Sequence, residues 1–116
     1  ERLRRKLETA MLMDAPPPEI DLVMARPEVA IWNDVTRDNE YRLPERFEPG
    51  DVVLDIGGHC GFFAWECLRR GAGKVVSVEP HPDNFKRLEH NVGGFGERSV
   101  RINAACIDRG ADSQGT

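Results

Sequence analysis

The chain has 116 residues, a formal net charge of −4, and 40% hydrophobic against 31% charged residues. That composition suits one small globular domain and excludes a disordered segment or one drawn to nucleic acid by positive charge. No apolar run is long enough to span a bilayer, the start is too charged for a secretory signal, and three cysteines without paired spacing suit a reducing compartment.

A cytoplasmic protein with neither a membrane nor a nucleic-acid partner is therefore expected. The chain begins at Glu1 without an initiator methionine and ends in the polar run DRGADSQGT, so both ends read as cuts.

Residues 1–18 read as an N-terminal helix closed by a proline-rich break. Leu3, Leu7, Ala10 and Met11 fall at helical spacing, Arg2, Arg5 and Lys6 read as a solvated face, and Pro16–Pro18 must end the helix. Residues 19–50 read as short strands, IDLVMAR, VAIWND and EYRLPE, with the last two joined across VTRDN as a hairpin. Glu48–Asp51 reads as the turn that launches the next strand.

Residues 51–116 are more regular. DVVLDIG reads as a strand, GFFAWECLRRG as a helix stopped by Gly71, and KVVSVEP as a second strand. Pro82 opens a helix with Phe85, Leu88 and Val92 on one face, GGFG ends it, and SVRINAACI reads as a third strand. The order β-α-β-α-β, with strands apolar on both faces, predicts an α/β fold with a Rossmann-like parallel sheet and helices on both faces. GAGK at Gly71–Lys74 precedes a strand and lacks the following Ser or Thr, so it reads as a turn and not a phosphate loop.

The chemistry sits in DIGGHCG. A dinucleotide loop needs G-x-G-x-x-G, and neither Gly57 nor Gly58 starts one. The pattern present is D-x-G-x-x-x-G: Asp55, Gly57, Gly61. Glu79 ends the second strand, 24 positions after Asp55 (79 − 55), where a carboxylate can accept from the two hydroxyls of a ribose.

Asp55, Gly57 and Gly61 resemble the first motif of class I S-adenosylmethionine-dependent methyltransferases. In that reading Asp55 attracts the ammonium of the cofactor, backbone N–H groups at the helix start suit its carboxylate, and the glycines allow close approach. A narrower resemblance is to the FkbM family, carried by VVLDIGGHCGFF, VVSVEPHPDNFKRLEHNV and INAACID. It rests on Glu79-Pro80, Asn84-Phe85, Asn91 and the small pair Ala104-Ala105, and it runs from about Glu40 to Asp108. His59 stands where that family usually has asparagine, and Gly58 where it usually has alanine.

The resemblance implies S-adenosylmethionine as cofactor, bound by Asp55, Gly57, Gly58, His59, Gly61, Glu79, Pro80 and Ala105, and O-methylation of a sugar or other small molecule. No catalytic base is identified, and no metal is expected. It also implies the sheet order 3-2-1-4-5-7-6, of which three strands are present. The chain is thus expected to be the N-terminal half of the domain, completed by a C-terminal half, another copy in a homo-oligomer, or a partner. Two other classes stay open: an NAD-dependent oxidoreductase half-domain, and a non-catalytic remnant or interaction module.

Several residues have plainer readings. His59 is more simply a cofactor-loop residue than a base. Cys60, at a helix start where a thiol pKa can fall, is treated as a small filler. His59, Cys60, His81 and His90 lack the spacing of a zinc site.

Overall fold

A computed structural model of the chain describes Ile20 and residues 26–107. The expected N-terminal helix and its proline break, most of the strand expected from Ile20, and the tail from 108 lie outside the described residues.

The expected hairpin does not form. Residues Arg26–Thr36 are a helix, α1, and residues 37–51 form turns and irregular chain with no strand. The β-branched residues Val29, Ile31, Val35 and Thr36 favour a strand locally, but packing decides otherwise. Trp32 and Val35, three apart, are both buried, which is helical spacing, and Thr36 Oγ1 donates to the Trp32 carbonyl four residues back at 2.7 Å. Trp32 meets Phe62 edge to face, with ring centroids 5.3 Å apart, and Trp65 at 5.2 Å. Glu28 accepts two 2.6 Å hydrogen bonds from Arg87, fixing the helix at a second point.

Beyond the turn the expected order holds: β1 (Val52–Ile56), α2 (Phe62–Arg69), β2 (Lys74–Val78), α3 (Pro82–Val92), a 3-10 segment (Gly93–Arg98) and β3 (Ser99–Ile102). The strands are parallel, in the order β1-β2-β3, with Asp55 opposite Ser77 and Val76 opposite Val100. Local signals set the helix ends. Gly71, at φ 94°, closes α2: its N–H donates to the Leu68 carbonyl and that of Ala72 to the Cys67 carbonyl. Pro82 opens α3, whose first free N–H groups, from Asp83 and Asn84, donate to His81 Nδ1 at 3.2 and 3.4 Å.

Among the described residues the helices cover one face of the sheet rather than two. On the covered face Val75 and Ser77 of β2 and Asp55 of β1 are buried, and Leu88 and Val92 of α3 are fully enclosed. The other face carries Val52, Leu54, Ile56 and Ile102, between 42 and 65% exposed. Among the described residues β1 is therefore an edge strand with an open apolar face, as a sheet holding only its first three strands would leave it. No helix among the described residues is long and apolar enough to cross a membrane.

One glycine shows how tightly the two strand entrances fit. A Cβ at Gly73 would lie 1.9 Å from the Pro49 carbonyl oxygen, where Lys74 N–H donates to Asp51 at 3.1 Å. Gly94 has open space around it. Gly73→Ala is expected to cost about 2 kcal/mol or more in chemical denaturation, and Gly94→Ala about 0.5 kcal/mol or less. Equal effects would contradict this packing.

Candidate functional site

The C-terminal tips of β1 and β2 lie side by side, as parallel pairing requires. From β1 the chain enters the glycine loop, where Gly57, His59 and Gly61 all have positive φ, at 77°, 53° and 93°. Gly61 has a second reason to be glycine: a Cβ there would lie 3.4 Å from the Leu88 Cα and from Val92 Cγ1. The left-handed backbone at position 59 suits asparagine, and histidine tolerates it better than most residues. A Cβ at Gly58 would meet Leu88 Cδ1 at 2.7 Å, so alanine would require that side chain to move.

Two features hold this loop. The N–H groups of Gly57 and Gly58 both donate to the Val78 carbonyl, at 2.8 and 2.9 Å, so they bind the loop to β2. Buried Asn91, at the end of α3, donates to the Cys60 carbonyl at 2.7 Å. The helix-end asparagine is thus a brace for the glycine loop.

Glu79 is 5% exposed, and its carboxylate spans two loops. Oε1 accepts from the His59 N–H at 2.7 Å and Oε2 from the His81 N–H at 2.8 Å. Each carboxylate oxygen retains a further lone pair. Asn103, which the sequence reading did not single out, donates to the carbonyls of Glu79 and Pro80 at 2.8 and 3.2 Å, tying the end of β3 to the same tip.

Asp55 is the anomaly. It is 9% exposed, and its Oδ2 is buried without a hydrogen-bond partner, as is Ser77 Oγ on the neighbouring strand. Burial pushes its carboxyl up to about 6 from 3.8; proximity to Ser77 eases the shift without hydrogen-bond geometry, and the Glu79 charge adds to it.

A cavity of about 360 Å³ opens beside this carboxyl. Asp55, Gly57, Gly58 and His59 line it; Gly61, Glu79, Pro80 and Ala105 do not. The expected cofactor residues therefore divide into a group that lines the cavity and a group that does not. Gly61 is buried beneath the loop, and Pro80 and Ala105 are exposed, Ala105 three residues past the end of β3. The opposite wall is Ile31 and Val35 of α1, Tyr41, and Phe62 and Phe63 of α2. None of these is among the expected site residues; for Ile31 and Val35 the reason is that reading residues 29–34 as a strand moves α1 away from the loop. The Trp32–Val35 spacing behind Pro27 was the available signal.

Two of the three thiols, Cys60 and Cys67, are buried. Burial pushes Cys60 up to about 11 and Cys67 up to about 12, against the effect of a helix start. Cys60 is the filler expected of it, with its sulfur 3.2 Å from His59 Nδ1. Among the described residues no cluster of three or more His, Cys, Asp or Glu could hold a metal ion.

Comparison with known proteins finds no matching family model. A tRNA (guanine(37)-N(1))-methyltransferase of Candida albicans is 31% identical over 61 residues, 53% of this chain and 13% of that protein. Among solved structures, a protein assigned as an RNA methyltransferase from Pyrococcus horikoshii aligns over 86% of this chain with a TM-score of 0.51 and 23% identity. The C-terminal domain of precorrin-6Y C5,15-methyltransferase from Rhodobacter capsulatus aligns over 85% with a TM-score of 0.57 and 19% identity. The chain spans about half (51%) of each of these structures. Two of the three names carry RNA, so the expectation that nucleic acid has no part finds no support among them. What the structures share with this chain is the fold: it has the Rossmann-like parallel sheet of these methyltransferases, in its first three strands.

Proposed function

We propose that this chain is the cofactor-binding half of an S-adenosylmethionine-dependent methyltransferase. The observation that carries the reading is Asp55, a residue that lines the cavity beside glycine backbone and has one buried carboxylate oxygen without a partner. A buried anion lacking its counter-charge is costly to the protein alone and suits a ligand that brings a cation. An NAD site would call for a pyrophosphate at this loop, where a buried carboxylate is unfavourable.

The residues fit the cofactor. Asp55 would take the ammonium of its methionine end, and the positive-φ backbone at Gly57 and His59 leaves room beside the strand tip. Glu79, with its remaining lone pairs, would accept from the ribose hydroxyls; Pro80 and Ala105 would lie on the adenosine side. The cofactor supplies a methyl group on a positively charged sulfur, open to in-line displacement. The contribution of this chain is to bind and align it, and alignment is a major part of such catalysis. The exposed edge and apolar face of β1 support a sheet continued by more chain, another copy or a partner. The acceptor pocket and any base would belong to that continuation.

For the acceptor we propose a hydroxyl of a sugar or other small molecule, on the likeness of Glu79-Pro80, Asn84-Phe85 and Asn91 to the FkbM pattern and the net charge of −4. A second reading, RNA, is supported by the names of the similar proteins.

Calorimetric titration of the 116-residue chain with S-adenosylhomocysteine is expected to show saturable micromolar binding, with none for NAD. Asp55→Asn should weaken that binding about tenfold or more, through loss of the charge pair. The same variant should be more stable in the ligand-free state. Because the folded Asp55 holds its proton up to about pH 6 and the unfolded one loses it near 3.8, stability falls as pH rises through that window. Asp55→Asn should therefore gain about 1 kcal/mol at pH 7.5, with the gain shrinking below pH 6 and gone below about 3.8. Binding unchanged in the variant would remove Asp55 from the site.

The acceptor readings separate in a titration with unmodified tRNA at low salt. No saturable binding is expected; a micromolar complex weakened by added salt would favour RNA.

A further inference from the structure

Tyr41 is 62% exposed, so burial of its ring does not explain where it sits. Yet the segment around it is closely determined. Asn39, at φ 48°, grips Leu43 through its side chain, donating to the Leu43 carbonyl at 2.9 Å and accepting from its N–H at 2.8 Å. Arg42, a residue with no glycine-like freedom, is held at φ 55°. Arg70 of α2 donates to the Pro44 carbonyl at 2.9 Å and is itself fixed at 2.8 Å by the fully buried carboxylate of Glu66.

These constraints lay the Tyr41 ring against Phe63, centroids 5.0 Å apart and planes at 63°. Both rings line the cavity that Asp55 lines. Left-handed backbone at residues other than glycine persists where the surroundings enforce it, and often where a site needs the result. Here the result is an aromatic pair lining the same small cavity as a buried carboxylate.

Aromatic faces attract cations and give a neutral group of the same shape no such gain. We propose that Tyr41, backed by Phe63, is a specificity-determining residue that recognises positive charge on the ligand's sulfur, so that the site favours the sulfonium form of the cofactor over the neutral thioether left after methyl transfer. The inference rests on the S-adenosylmethionine reading. It assigns the two charges of the ligand to two features: the ammonium to Asp55 and the sulfonium to the aromatic wall. It also gives the site a means of releasing the spent cofactor, because loss of the methyl group removes the charge that the wall holds.

The test is the ratio of two dissociation constants, measured by calorimetry on the 116-residue chain with S-adenosylmethionine and S-adenosylhomocysteine. The unsubstituted chain and Tyr41→Phe should both bind the sulfonium form more tightly. Tyr41→Leu should narrow the ratio by about three- to tenfold, with circular dichroism unchanged. A merely structural tyrosine would weaken both ligands alike and leave the ratio as it was. A ratio unchanged in Tyr41→Leu, with both ligands still bound, overturns this inference and leaves the cofactor reading standing. Failure of the folded, unsubstituted chain to bind either ligand overturns both.

Discussion

The Glu79 carboxylate is the constraint on which the site depends. One nearly buried side chain accepts backbone N–H groups from the glycine loop and from the loop that starts α3. The two loops belong to different βα units, and Glu79 joins them directly, beside the Gly57 and Gly58 N–H groups that tie the glycine loop to the Val78 carbonyl. Charge-assisted bonds of this kind are among the stronger ones in a protein. By fixing both loops, Glu79 fixes the left-handed backbone at His59, the course of the chain into α2, and the place of Asp55 beside them. Asn91 and Asn103 extend the scheme, bracing the glycine loop from α3 and the strand tip from β3.

Against this well-partnered acid stands a poorly partnered one. Asp55 and Glu79 end adjacent strands in similar burial, yet the protein satisfies Glu79 and leaves an oxygen of Asp55 unmatched. A purely structural site would have no use for the difference. In the proposed reading one acid builds the frame, and the other is kept for a ligand's charge. On that reading, stability given up at Asp55 would be returned on binding, a common relation between active sites and the folds that carry them.

The sequence showed this core more clearly than its surroundings. The β-α-β-α-β order, Gly71 as a helix stop, Pro82 as a helix start, and the acids ending two strands follow from local patterns. What remained hidden depends on contacts between distant residues. The helix from Arg26 to Thr36 looks like a strand because of its β-branched residues, and is settled by Trp32 against Phe62 and Trp65 and by Glu28 against Arg87, 59 residues away. With that helix misread, the wall formed by Ile31, Val35 and Tyr41 could not be placed. The scaffold role of Glu79 was likewise invisible, since a strand-end acid reads the same whether it binds ribose or backbone. The exposed face of Val52, Leu54 and Ile56 follows the same logic: the strands read as apolar on both faces, and among the described residues only one of those faces is covered.

The central claim is that Asp55 is held for a cationic ligand group. The most direct measurement is the titration of its side-chain carboxyl by carbon-detected NMR, with and without saturating S-adenosylhomocysteine. An apo midpoint near pH 6 is expected, falling when ligand binds, because an adjacent ammonium favours the ionised form. A midpoint near the ordinary 3.8, or one near 6 that bound ligand does not move, would contradict it.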